Sequence, residues 1–240
     1  MKTVFTVGIG LPGDAGEYVR FNSDKSLLDA DIIVFRPDMS DVYDSSYESY
    51  QGKRCYGEHA SFKLKERIAH WRRELWIAVD SGKTVFILLN DKHDVFVDSG
   101  QRTYSGAGRN TRTTRVVEPC CNYDVLPSGI EIATGSGCVM ILSDKAAIIR
   151  RYWDAFGELS VYKVMITGTV TTPLVLSKDR KHVFGAILRF KGSAGNFVLL
   201  PDILFSEVPG LSTEKGNWTK KATALGHQFL QVIWVLPNNE

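Results

Sequence analysis

Long hydrophobic runs are missing from this chain. Its most apolar stretches, Thr84 to Leu89 and Phe197 to Leu200, fall far short of the ~20 residues that cross a bilayer, so no membrane partner is expected. Cysteine is also scarce. Cys55, Cys120, Cys121 and Cys138 are the only four among 240 residues, too few for a disulfide framework, and the adjacent pair lacks zinc-site spacing. A reducing, cytoplasmic setting fits that usage. An excess of either charge is lacking too: 29 Lys and Arg against 27 Asp and Glu leave a formal charge of +2. The overall field therefore does not indicate nucleic acid, and electrostatic recognition must be local. The N-terminus, with Lys2 before a short apolar run, has no long h-region or cleavage site and reads as a first strand.

With 44% apolar residues, the chain has the composition of one globular domain with a sizeable core. The pattern predicts α/β architecture over residues 1–240. Val4 to Ile9 and Glu17 to Phe21 read as strands, Ser26 to Ala30 as a helical turn, and Asp31 to Phe35 as a strand covered on both faces. Residues 37–60, rich in Asp, Ser, Tyr and Gly, show neither period and read as a long loop. Leu64, Ile68, Trp71, Leu75, Ala78 and Val79 then recur at helical steps, with Ser61 as the expected N-cap and Gly82 as the stop. Thr84 to Leu89 follows as a strand. Residues 91–137 carry scattered strand signals and read as hairpins or an insertion. Val139 to Leu142, Tyr162 to Thr167 and Pro173 to Leu176 are further strands. Ser143-Asp144 caps a helix through Phe156, and Val183 to Phe190 with Asn196 to Pro201 form an antiparallel hairpin. Trp218, Ala222, Leu225, Phe229, Ile233 and Leu236 mark a last amphipathic helix.

Three segments carry a resemblance: Leu27 to Phe35, the helix end and strand Ala78 to Leu89, and Gly195 to Asp202. In their order they resemble the class I glutamine amidotransferase-like superfamily, particularly its ThuA-like and other non-amidotransferase branches. The resemblance implies a single domain with a mostly parallel, flavodoxin-like sheet flanked by helices and extended by an antiparallel hairpin. It also implies a site after the strand Thr84 to Leu89, where the amidotransferases place a nucleophilic Cys on a sharp turn. Here that place reads Leu89-Asn90-Asp91-Lys92, without thiol or glycine-flanked elbow, so glutamine hydrolysis is disfavoured.

The remaining candidates are local. Gly8-Ile9-Gly10-Leu11-Pro12-Gly13 matches G-x-G-x-x-G, but no helix follows it and no acidic residue ends the second strand, so a tight turn is expected and no cofactor. Open parallel sheets bind ligands beyond the carboxyl ends of their strands, which points to Arg36, Asp38 and Asn90. From Gln101 to Val117 there are four arginines, Arg102, Arg109, Arg112 and Arg115, and no acidic residue. Guanidinium forks among glycines and threonines suit phosphate or carboxylate recognition, or pair with the acidic loop of Asp38, Asp41, Asp44 and Glu48. That loop also holds Tyr43, Tyr47, Tyr50 and Tyr56, whose amphipathic rings suit an interface or internal packing. Cys138 reads as a small core residue, and Asp91, His93 and Asp94 are too few to specify a metal site. No complete catalytic set is present. The leading expectation is a non-catalytic or regulatory binding module for an anionic small molecule or a protein partner. The alternatives are a hydrolase using Asp or Glu with His or a metal, or a structural component of a larger assembly.

Overall fold

The unbroken apolar runs are strands whose alternate side chains enter two separate cores. Phe5 and Val7, Ile33 and Phe35, Val85, Ile87 and Leu89, and Phe197 and Leu199 lie in one. Val4, Ile32, Val34, Phe86, Leu88, Val198 and Leu200 lie in the other. Burial on both faces leaves few polar positions along such strands, Thr6 in the first and Asp202 near the end of the last being the buried exceptions, which is why these segments read as nearly continuous apolar runs.

The computed structural model describes residues 3–42, 47–135, 139–168, 172–205 and 220–235. In chain order the first elements are β1 (Val4–Val7), β2 (Glu17–Val19), β3 (Ile32–Phe35), β4 (Tyr47–Tyr50), β5 (Lys53–Tyr56), α1 (Glu58–Asp80) and β6 (Thr84–Leu89). Next come β7 (Asp94–Ser105), β8 (Arg112–Cys121), β9 (Ile132–Thr134), β10 (Met140–Leu142) and α2 (Arg150–Phe156). The chain continues through β11 (Ser160–Val161), β12 (Val164–Ile166), β13 (Thr172–Ser177), β14 (Val183–Leu188), β15 (Asn196–Ile203) and α3 (Lys220–Val235). The class is α/β, and the large sheet is mixed. Strands β15-β6-β3-β1-β2 pair in parallel, whereas β10-β13-β14-β15 pair antiparallel, with β9, β11 and β12 added by antiparallel pairing. Parallel pairing accounts for only one half, because β13, β14 and β15 follow one another directly as hairpins, which pair antiparallel. A second sheet, β4-β5-β7-β8, stands apart from the first.

Helix α1 packs its Leu64, Ile68, Trp71, Leu75, Ala78 and Val79 stripe into the first core. The Trp71 indole N–H donates to Phe21 O at 2.6 Å, and its ring meets Phe21 and Phe35. Helices α2 and α3 cover the opposite face through Tyr152, Phe156, Phe229 and Ile233.

Several expectations need correction. α1 starts at Glu58 behind Gly57, which offers no side-chain cap, and Ser61 lies buried inside it. The Ser61 hydroxyl donates to Tyr56 O and accepts from the Asp98 amide, tying the helix to the second sheet. Residues 37–60 are not all loop. A short 3-10 turn and the β4–β5 hairpin lie there; β4 is exposed throughout and β5 buries only Cys55 and Tyr56 at its end, so neither strand shows the apolar alternation that marks a strand in sequence. Ser26 to Ala30 closes as a hydrogen-bonded turn without a helix. Ser143 does not cap α2: its hydroxyl is bonded to Pro173 O, and a 3-10 turn over Ala146–Ile149 precedes the helix. Tyr43, Asp44, Cys138, Trp218 and Leu236 lie outside the described residues. Among the described residues no helix is long and apolar enough to cross a membrane.

The stop at Gly82 is a double-bonded C-terminal cap. Gly82 N–H reaches Val79 O and Lys83 N–H reaches Ala78 O, both at 3.0 Å, with Gly82 at φ 90°. Gly195, just before β15, is pressed onto this cap. Its N–H donates to Val79 O at 2.9 Å. A Cβ there would fall on Lys83 O and 2.7 Å from Val79 O. Both neighbours are backbone and cannot swing aside. Gly195→Ala is therefore expected to cost about 2 kcal/mol, read from urea unfolding. An unchanged midpoint would count against the close approach.

Candidate functional site

Three adjacent parallel strands end at one edge, and each ends in polar chemistry. Arg36 follows β3, Asn90 and Asp91 follow β6, and Asp202 lies near the end of β15, one residue past the Pro201–Leu89 pair. β11 pairs with the same stretch, setting Val161 opposite Asp202 and bringing Lys163 alongside. Arg36, Leu89, Asn90, Asp91, Val161, Lys163, Asp202 and Leu204 line a cleft of about 160 Å³.

Arg36 is held between two carboxylates. Its Nε and Nη2 donate to Asp202 Oδ2 at 3.1 and 2.8 Å, while Nη1 reaches Asp38 Oδ2 only at 3.4 Å. The Asp202 side chain is 6% exposed and that of Arg36 26%. Burial pushes the Asp202 carboxyl above the usual range, with Arg36 acting in the opposite direction. Asp202 Oδ1 is buried and takes no hydrogen bond from the described residues. At the cleft mouth Lys163 Nζ meets Asp91 Oδ2 at 2.8 Å, both side chains about half exposed. An ion pair so exposed is worth at most about 1 kcal/mol and exchanges readily with solvent or ligand.

Asn90, the first residue past β6, is immobilised by a buried network. Its Nδ2 donates to Pro37 O at 3.3 Å, and the Tyr123 hydroxyl donates to its carbonyl at 2.5 Å. Asn122, fully buried, donates from Nδ2 to Pro37 O, Asp91 O and Asn90 Oδ1, and accepts the His93 amide on Oδ1. Burial, and then the Asp202 charge, raises the Tyr123 phenol well beyond its ordinary range, so it serves as a neutral donor.

The structure thus sets Arg36 and Asn90 on the cleft, with Asp38 beside Arg36 but not among the lining residues. Arg102, Arg109, Arg112 and Arg115 line no part of the cleft; they belong to the β7–β8 hairpin of the second sheet. Arg102 pairs with Asp98 and Glu58, and Arg115 with Glu48 of the acidic segment. Asp202 and Lys163 were missed. A carboxylate ending a fully buried strand was the available sign for Asp202, whereas Lys163, between two very short strands, carried none.

The other reactive residues are quiet. Cys120 and Cys121 are free thiols, and burial pushes both up, Cys121 to about 11, so neither is a ready thiolate. The glycine motif performs packing: a Cβ on Gly8 would fall on Arg36 O, and one on Gly13 would strike the backbone of Thr223 in α3. A 3-10 turn, not a helix, follows β1. Among the described residues no group of three or more His, Cys, Asp or Glu is arranged to hold a metal. The chain matches no family model and no curated protein sequence.

Proposed function

We propose that this chain is a non-catalytic, cytoplasmic binding module on an amidotransferase-like, flavodoxin-like plan, whose strand-end cleft takes a small anionic molecule. Support for the plan comes from the parallel run β2-β1-β3-β6-β15 with its β14–β15 hairpin. One observation carries the function: two cations, Arg36 and Lys163, line a cleft at the carboxyl ends of three parallel strands, where a locked Asn90 stands in place of a nucleophile. Lys163 is released from Asp91 at small cost, and the Nη1 edge of Arg36 is only loosely engaged by Asp38. A hydrolase at this cleft would have to rely on the carboxylates Asp91 and Asp202, since among the described residues no His, Ser, Thr or Cys lines it.

Thermal unfolding with inorganic phosphate, pyrophosphate and short dicarboxylates tests the reading. An anion at a hundredfold its dissociation constant stabilises by about 2.7 kcal/mol. The shift is expected to vanish in Lys163→Met and to grow in Asp91→Asn, which frees the lysine. No shift with any of these anions, or one that persists in Lys163→Met, would overturn it.

A further inference from the structure

The β7–β8 hairpin is far longer than the sheet it belongs to. β5 meets β7 only at Cys55–Phe96, and β7 and β8 stay paired from Asp94–Cys121 out to Ser105–Arg112. Beyond the irregularity between Asp98 and Arg102, nearly every residue from Gly100 to Thr114 is exposed, and past the Arg102–Arg115 pair the two strands have only each other. An isolated two-stranded ribbon has little intrinsic stability, so its retention calls for a role outside the core.

The four arginines divide by position. Arg102 and Arg115 sit opposite each other at the root, an unfavourable like-charge pair unless neutralised. Asp98 and Glu58 neutralise the first and Glu48 the second, so these two anchor the arm. Arg112, at the end of the ladder, and Arg109, in the turn Gly108–Asn110, have no ion-pair partner among the described residues and no part in the core. Around them stand only neutral polar groups and Tyr104, 71% exposed; the stretch Ser99 to Val117 contains no acidic residue.

We propose that this arm binds duplex DNA, entering the major groove with Arg109 and Arg112 on phosphates. Two paired strands fit a groove about 12 Å wide, and not the minor groove of about 6 Å or the narrow deep groove of duplex RNA. The four paired residues of ribbon from Arg102 to Ser105 reach about 14 Å, enough to lie along it. Arginine, serine and threonine side chains are the usual phosphate contacts. The small net charge of the chain does not oppose this, because the positive charge is concentrated where the arm projects and its acidic partners lie at the root.

The test is fluorescence anisotropy of the full chain with a random-sequence 20-base-pair DNA duplex, from about 50 to 200 mM salt. An RNA duplex and polyglutamate serve as competitors. Because Arg109 and Arg112 are exposed, Arg109→Ala/Arg112→Ala is expected to keep the wild-type melting temperature. It should bind DNA at least about tenfold more weakly at low salt, and its log–log salt slope should be about two units shallower. No binding by the wild type, equal binding by the double variant, or preference for RNA or polyglutamate would overturn the proposal.

Discussion

Replacing Arg36 with Met is expected to destabilise the protein by about 3 kcal/mol at neutral pH, the lower end of the cost of stripping a buried carboxylate of its partner. The lower end applies because the Arg36 side chain is 26% exposed, although Asp202 is only 6% exposed. The deficit carries a pH signature. Burial already holds the Asp202 carboxyl above its usual range, and Arg36 is the main force opposing that shift. Without the guanidinium the folded-state pKa climbs further. A carboxyl whose pKa is raised by folding favours the protonated native state, so its contribution is fully present below the unfolded value of ~4 and is lost as pH rises through the folded value. The variant should therefore lie close to the wild type near pH 4 and fall progressively behind it towards neutrality. Urea unfolding across that range reads the difference. Adding Asp202→Asn to Arg36→Met should restore much of the loss at neutral pH, since the stranded charge is gone. A deficit that does not change with pH, or that shrinks as pH rises, would mean that Arg36 acts by packing alone.

Asn122→Ala should cost about as much, near 3 kcal/mol, by a different route. The amide of the fully buried Asn122 serves Pro37 O and Asn90 Oδ1 out of reach of solvent, and also bonds Asp91 O and takes the His93 N–H where the turn is partly exposed. Truncation strips Asp91 O and the His93 N–H of these partners, while Pro37 O keeps Asn90 Nδ2; each one left unmet costs about 1–3 kcal/mol, and the vacated space adds to that. Asn122→Asp should rescue little: it keeps an acceptor for His93 but turns a carboxylate towards three oxygens. Besides the unfolding midpoint, amide hydrogen exchange at His93 is the local readout, with faster exchange expected in Ala. Wild-type protection there, with an unchanged midpoint, would show the network to be dispensable.

The cleft residues differ in how legible they were. Arg36 and Asn90 could be found because each directly follows an apolar run that reads as a buried strand, and parallel strands gather their ends at one edge. Asp202 has the same signature at the end of β15, yet its role depends on β15 lying beside β6, a pairing that joins residues more than a hundred positions apart. Lys163 enters from the two-residue link between β11 and β12, and Asn122 from a one-turn 3-10 helix after β8, neither of which a local pattern marks. The arginine run was visible by composition, but its division into two anchors and two outward residues depends on where Asp98, Glu58 and Glu48 fall in space.

By itself, the sequence determined the α/β class, the apolar strands β3, β6 and β15, the long helix with its glycine stop, and the β14–β15 hairpin. These follow from periodicity and turn chemistry within a few residues, which local sterics and burial dictate. Only the tertiary structure decided that the large sheet is mixed, that β4 and β5 join β7 and β8 in a second sheet, and that α1 begins at Glu58. It alone placed Asp202 against Arg36 and Lys163 against Asp91. Pairing partners are chosen by edge hydrogen bonding and shared burial between distant segments, quantities that a one-dimensional pattern does not carry.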